Sequence, residues 1–200
     1  MLTFDPVKHE YRDGTKVVPS VTQILQPLSN FDFVDPEVLR AAQDFGTAVH
    51  SACELWDLGT LDHDALDPEL EPYLQGWILF CQEHQCSKWE GIELRVYDKA
   101  MGYAGTLDRF GLVDGERAIV DIKSGSKLFP STGPQTAAYA QAHVPVVARS
   151  IKRYAVRLFP SGYELKAYTS PLDWATFASL ITLSGFCSRH NITLNFKEKT

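Results

Sequence analysis

Apolar and polar positions alternate with a period of two through residues 92–97, where Ile92, Leu94 and Val96 oppose Glu93, Arg95 and Tyr97. That pattern predicts a strand with one buried face. It returns on both sides of Asp114-Gly115. Before the dipeptide, Thr106, Asp108 and Phe110 share a face; after it, Ala118, Val120 and Ile122 oppose Ile119, Asp121 and Lys123. Asp-Gly between alternating runs predicts a tight hairpin. A second hairpin is predicted around Pro160-Ser161-Gly162, joining runs 153–158 and 163–169, and a short one in residues 1–18 around Asp13-Gly14.

The helical period takes over elsewhere. Ser20 with Gln23 three residues on is a capping box for a brief helix halted by Pro27. Asp35-Pro36-Glu37 combines a cap, a first-position proline and an acid at the positive end of the dipole. The helix it starts is predicted to run to about Gly59, with a stripe of Val38, Ala42, Phe45, Val49, Ala52 and Trp56. His50 falls at the margin of this stripe, where Gly46 leaves space one turn earlier. After a polar loop at 61–67, Asp67-Pro68-Glu69 predicts another helix, with Tyr73, Leu74, Trp77, Phe80 and Cys81 as its core face and His84 late in it without an obvious partner. Gly133-Pro134 predicts a helix carrying Gln135 and Tyr139 on one face. Ser170-Pro171-Leu172-Asp173 starts a last helix to about Arg189, followed by a short strand or loose tail. Three helices, three strands, a helix, two strands and a helix make an α/β domain with a mixed central sheet flanked by helices.

Two hundred residues with 44% hydrophobic side chains suit one such domain with a sizeable core. No run of about 18 apolar residues predicts a membrane span. The opening Met1-Leu2-Thr3-Phe4-Asp5-Pro6 lacks the basic and apolar parts of a secretory signal, so a cytoplasmic location is expected. Cys53, Cys81, Cys86 and Cys187 have no zinc-site spacing and read as reduced core thiols. The net charge of −6 works against non-specific nucleic-acid binding. Arg149, Lys152, Arg153 and Arg157 offset it locally, either as a substrate patch or as a solvated strand face.

The chemistry concentrates at residues 102–139. Hairpin pairing brings Asp108 beside Asp121 across the ladder, with Lys123 on the same face. Two carboxylates directly opposed call for a cation, and Mg²⁺ or another hard divalent ion held by both acids is the simplest one. An ordinary solvated strand is the alternative reading of Asp-x-Lys.

Gly105-x-x-Asp108, Asp121-x-Lys123 and Gln135-x-x-x-Tyr139 together resemble the PD-(D/E)XK nuclease superfamily, in its RecB-like and phage-type exonuclease branch. The resemblance implies a restriction-endonuclease-like αβββαβ core over about residues 35–170, with 1–34 as an N-terminal hairpin and short helix and 171–200 as a C-terminal addition. It implies that His50, otherwise a hydrogen-bonded histidine at a core margin, joins Asp108, Asp121 and the Ile122 carbonyl around one or two Mg²⁺ or Mn²⁺ ions. Lys123 would then serve the attacking water or the developing charge, and Gln135 and Tyr139 would position the strand. Glu54, Glu93, Arg153 and Arg157 are further candidates for substrate or supporting contacts. No iron–sulfur cluster is expected, because only Cys187 lies where the family's grouped cysteines stand. The expected activity is a DNA exonuclease acting on linear ends in recombination, repair or phage DNA processing, in a bacterial or phage-infected cell. A catalytically silent binding module on the same fold and an RNA nuclease are the competing readings. The sequence specifies no protein partner and no oligomer.

Overall fold

The computed structural model describes residues 1–6, 8–28, 34–86 and 88–193. The predicted tail therefore lies outside the described residues from 194 onward. Asp114 and Gly115 both take positive φ, 51° and 78°, as a two-residue turn of the I′ kind demands. They join β5 (Tyr103–Val113) to β6 (Glu116–Lys123), which pair antiparallel with Val113 opposite Glu116. β4 (Trp89–Asp98) adds to the other edge of β5. Beyond β6, helix α4 (Thr132–His143) makes the crossover that a parallel neighbour requires, so β7 (Lys152–Phe159) lies parallel to β6 and β8 (Gly162–Ala167) closes the sheet as a hairpin. The result is a mixed sheet in the order β4-β5-β6-β7-β8.

Side-chain alternation sorts β6 as predicted. Ala118, Val120 and Ile122 pack with Val49 and Cys53 of α2 (Pro36–Asp57) and with Leu74, Trp77 and Phe80 of α3 (Glu71–Glu83). Ile119, on the opposite face, packs with Ala138 and Tyr139 of α4. Phe177 and Ile181 of α5 (Leu172–His190) and Val21 and Ile24 of the short α1 (Val21–Leu25) complete that second layer.

Several expectations change. The N-terminal hairpin is a three-stranded sheet of β1 (Leu2–Asp5), β2 (Glu10–Asp13) and β3 (Lys16–Val18), because the chain reverses before His9 as well as at Gly14. α3 starts at Glu71: Asp67 caps only a turn through the Glu69 N–H, and Pro72 holds the helix start beside it. The predicted α2 stripe meets the core only from Phe45 onward, and Val38 is 61% exposed. His84 has a partner after all, since its Nδ1 lies 2.8 Å from Asp114 Oδ2 in the β5–β6 turn. No helix among the described residues is long and apolar enough to cross a membrane.

Candidate metal centre

The site forms where the regular ladder stops. Backbone pairing of β5 with β6 ends at Arg109 opposite Val120, and one step on, the Ile122 N–H donates to Asp108 Oδ2 at 2.6 Å. A buried carboxylate thus takes the place of a ladder carbonyl. On the other edge of β5, Ile92 pairs with Arg109 and Leu94 with Leu107, so Glu93 and Asp108 stand at the same level of the ladder. Glu93 has φ of 46°, a left-handed conformation that a strand interior does not supply for a non-glycine residue. Such a residue costs about 1–3 kcal/mol and persists only where its surroundings over-determine it.

His50 reaches this point from α2. Its Nε2 lies 2.9 Å from the Ile122 carbonyl, and a carbonyl only accepts, so Nε2 carries the proton and Nδ1 presents its lone pair. Nδ1 faces Asp108 Oδ2 at 3.6 Å and Glu93 Oε1 at 4.0 Å. Burial holds the His50 pKa below its ordinary value, against the pull of Asp108, which keeps the ring neutral. Glu93 is pushed up to about 7 by burial and then by Asp108, against the pull of Arg109. Three lone-pair atoms therefore converge, an arrangement that is favourable only with a proton or a cation among them.

The ligand atoms of His50, Glu93 and Asp108 all lie within 4.8 Å of one another. Opposite ligands of an ion held at about 2.1 Å stand about 4.2 Å apart, so small side-chain rotations complete the fit. One nitrogen with oxygen donors suits Mn²⁺ as well as Mg²⁺. Glu93 therefore stands inside the metal-capable group, and Asp121 stands beside it. The Ile122 carbonyl accepts from His50.

Asp121 is 1% exposed. Its nearest cation is Lys123, with Nζ 2.7 Å from Oδ2, at the distance of a charge-assisted hydrogen bond. Oδ1 has no partner among the described residues. Burial raises the Asp121 pKa, Lys123 opposes and Asp108 adds to the rise. For Lys123, burial lowers the pKa but the two carboxylates outweigh it, so the ammonium stays charged.

From above, α4 lays Tyr139 over the strand. Its phenol is lifted well above the usual range by burial first and then by Asp121 and Asp108, and it accepts from Gln135 Nε2 at 3.4 Å. A Cβ at Gly105 would stand 2.7 Å from Tyr139 Cε1, so the glycine three residues before Asp108 is the space that the tyrosine ring occupies.

Sequence reasoning missed the group behind the site. Arg109 is fully buried on the opposite face from Asp108. It donates to Asp57 Oδ2 at 2.6 Å, Glu93 Oε1 at 3.1 Å and the Asp108 carbonyl at 2.7 Å, with its guanidinium 5.6 Å from the Trp77 ring centre. Asp57 also accepts from the Trp77 and Trp89 indoles. The available signal was an arginine inside an otherwise apolar strand face.

The other candidates divide. Glu54 adds negative charge near Glu93 and helps raise its pKa. Arg153 is committed elsewhere: it donates to the Gly133 and Ser170 carbonyls and pairs with Asp173 at 2.9 Å, tying the start of α4 to that of α5. Arg157 pairs with Glu164 at 2.8 Å and Lys152 with Glu116 at 3.0 Å. The basic run is thus largely neutralised by neighbouring acids. No family model and no curated protein matches this chain.

Proposed function

We propose that this chain is a divalent-metal-dependent nuclease of the PD-(D/E)XK type, with the restriction-endonuclease-like core over about residues 35–170 and exonuclease action on DNA. The observation that carries the reading is the convergence of Asp108, Glu93 and the His50 lone pair, with the Asp121–Lys123 pair beside Asp108. Such an excess of buried negative charge is stabilised by a cation of charge two, and hydrolysis of a phosphodiester uses one.

His50, Glu93 and Asp108 would hold Mg²⁺ or Mn²⁺, with Asp121 and the Ile122 carbonyl as further donors for a fuller shell or a second ion. The bound cation supplies Lewis acidity toward a phosphoryl oxygen and toward water. Lys123, charged and held by Asp121, places its ammonium where negative charge develops on the phosphate. Gln135 and Tyr139 border the same acids and orient the strand. The Ile122 N–H fixes one Asp108 oxygen, so that the carboxylate meets substrate and ion without reorganising.

End-labelled linear DNA tests the proposal. Cleavage is expected with Mn²⁺ or Mg²⁺, is lost in EDTA, and leaves covalently closed circles intact. Metal-independent cleavage or no cleavage of any DNA would overturn it, and a requirement for RNA would reassign the substrate.

A further inference from the structure

An acidic chain that handles a polyanion needs local cations, because each phosphate contact displaces counterions and the overall charge of −6 opposes approach. Most cations around the sheet are already paired with acids: Arg109 with Asp57, Arg117 with Glu90, Lys123 with Asp121, Arg153 with Asp173 and Arg157 with Glu164. Arg95 has no carboxylate partner among the described residues, and it is exposed.

Its place is specific. Arg95 is the ladder partner of Thr106, which shares a strand face with Asp108 two residues on. A diagonal neighbour across a ladder has its Cβ about 7–8 Å away, within reach of a long side chain. The guanidinium carbon stands 5.4 Å from the centre of the Phe4 ring on β1. Phe4 packs on Tyr11 with ring centres 4.7 Å apart, and the Tyr11 hydroxyl bonds Thr106 Oγ1 at 2.7 Å. The Tyr11 phenol, raised by burial, also feels both Arg95 and Glu93. The N-terminal sheet therefore braces Arg95 from below and joins it to the rim of the acidic group.

We propose that Arg95, seated on Phe4, binds a phosphate next to the scissile one on a nucleic-acid strand crossing the His50–Glu93–Asp108 group, so that the N-terminal sheet forms one wall of the substrate groove. A guanidinium offers a planar fork of donors that matches a phosphate, and an aromatic floor restrains it before the ligand arrives. The inference rests on the nuclease reading and adds a residue that the motif pattern does not contain.

The test is fluorescence anisotropy with a labelled single-stranded oligonucleotide in Ca²⁺, over a range of salt, alongside cleavage kinetics in Mn²⁺. Arg95→Ala is expected to weaken binding about tenfold, the scale of one charge-assisted contact. The slope of log affinity against log salt should fall by about 0.7, the loss of one single-strand phosphate contact. KM should rise while kcat stays within about twofold. Arg95→Lys should keep the slope and recover part of the affinity, which loss of Phe4 packing alone would not predict. An unchanged affinity and slope in Arg95→Ala, with wild-type protein binding and cutting normally, overturns the Arg95 role alone. Wild-type protein that neither binds nor cuts any oligonucleotide overturns the nuclease reading with it.

Discussion

Strand β5 carries two neighbouring charged residues that face opposite ways, and their surroundings differ in kind. Behind the strand, Arg109 meets Asp57, whose carboxylate also accepts from two indoles, so that charge is matched within the protein. In front, Asp108 stands with Glu93 and Asp121, which share only the Lys123 ammonium, while the lone pair of His50 points among acids. Both clusters are buried and polar. The first matches a cation to an acid and holds structure, with one guanidinium nitrogen, Arg109 Nη2, left unbonded; the second sets three carboxylates beside one ammonium, and that excess of acid is the property of a binding site. Glu93 belongs to both, held at 3.1 Å by Arg109 and turned toward Asp108 by its left-handed backbone.

The largest way to break the comparison is Arg109→Met. It leaves Asp57 buried without its cation, and removing one partner of such a pair costs about 3–5 kcal/mol. Urea denaturation should show that loss, and Arg109→Met combined with Asp57→Asn should recover part of it, since the indoles keep an acceptor. An equal or greater loss in the double variant would show that the rear cluster is not an ion pair in the energetic sense.

On the front face, Lys123→Ala should act mainly on rate, with a smaller loss of stability than Arg109→Met because the Lys123 side chain is partly exposed. Loss of an electrostatic group aimed at developing charge costs about 10²–10³ in turnover. Because the variant deletes a positive charge beside the acids, Mn²⁺ affinity should persist or increase. Wild-type single-turnover cleavage in Lys123→Ala would remove the lysine from the mechanism.

A smaller effect separates the clusters by pH. Glu93 is raised to about 7 and Asp121 is raised as well, so the native state holds these protons more tightly than the unfolded chain does. Their contribution to stability is present at low pH and is lost as pH rises through the folded values. His50, with a lowered pKa, works the other way only below about 6.5, its unfolded value. Between pH 6.5 and 8 the metal-free protein should therefore lose a few degrees of Tm, at about 2–4 °C per kcal/mol for a chain of this size. Saturating Mn²⁺ should cancel the trend, because the cation takes the place of the protons. A metal-free Tm that rises across this window would contradict the assigned shifts.

The front cluster was largely legible in the sequence. Alternation placed Asp121 and Lys123 on one face, Asp-Gly fixed the hairpin, and the helical period set His50 at a core margin. What was hidden depends on contacts between distant residues or on backbone that departs from a regular period. Arg109 finds Asp57 across 52 positions. Alternation set Glu93 among the supporting candidates, and the left-handed backbone that brings it into the metal-capable group lies outside any alternation rule. Gly105 read as part of a motif, and only the ring of Tyr139 above it gives a reason for the missing side chain.

The most direct test of the account is calorimetric titration of Mn²⁺ into the wild-type protein and into Asp108→Asn, Glu93→Gln and Asp57→Asn, each checked for folding. Saturable binding is predicted for wild type, abolished in Asp108→Asn, weakened at least tenfold in Glu93→Gln and changed least in Asp57→Asn. No saturable site in wild type, or binding by Asp108→Asn as tight as wild type, would contradict the claim that the front face of β5 is a metal centre.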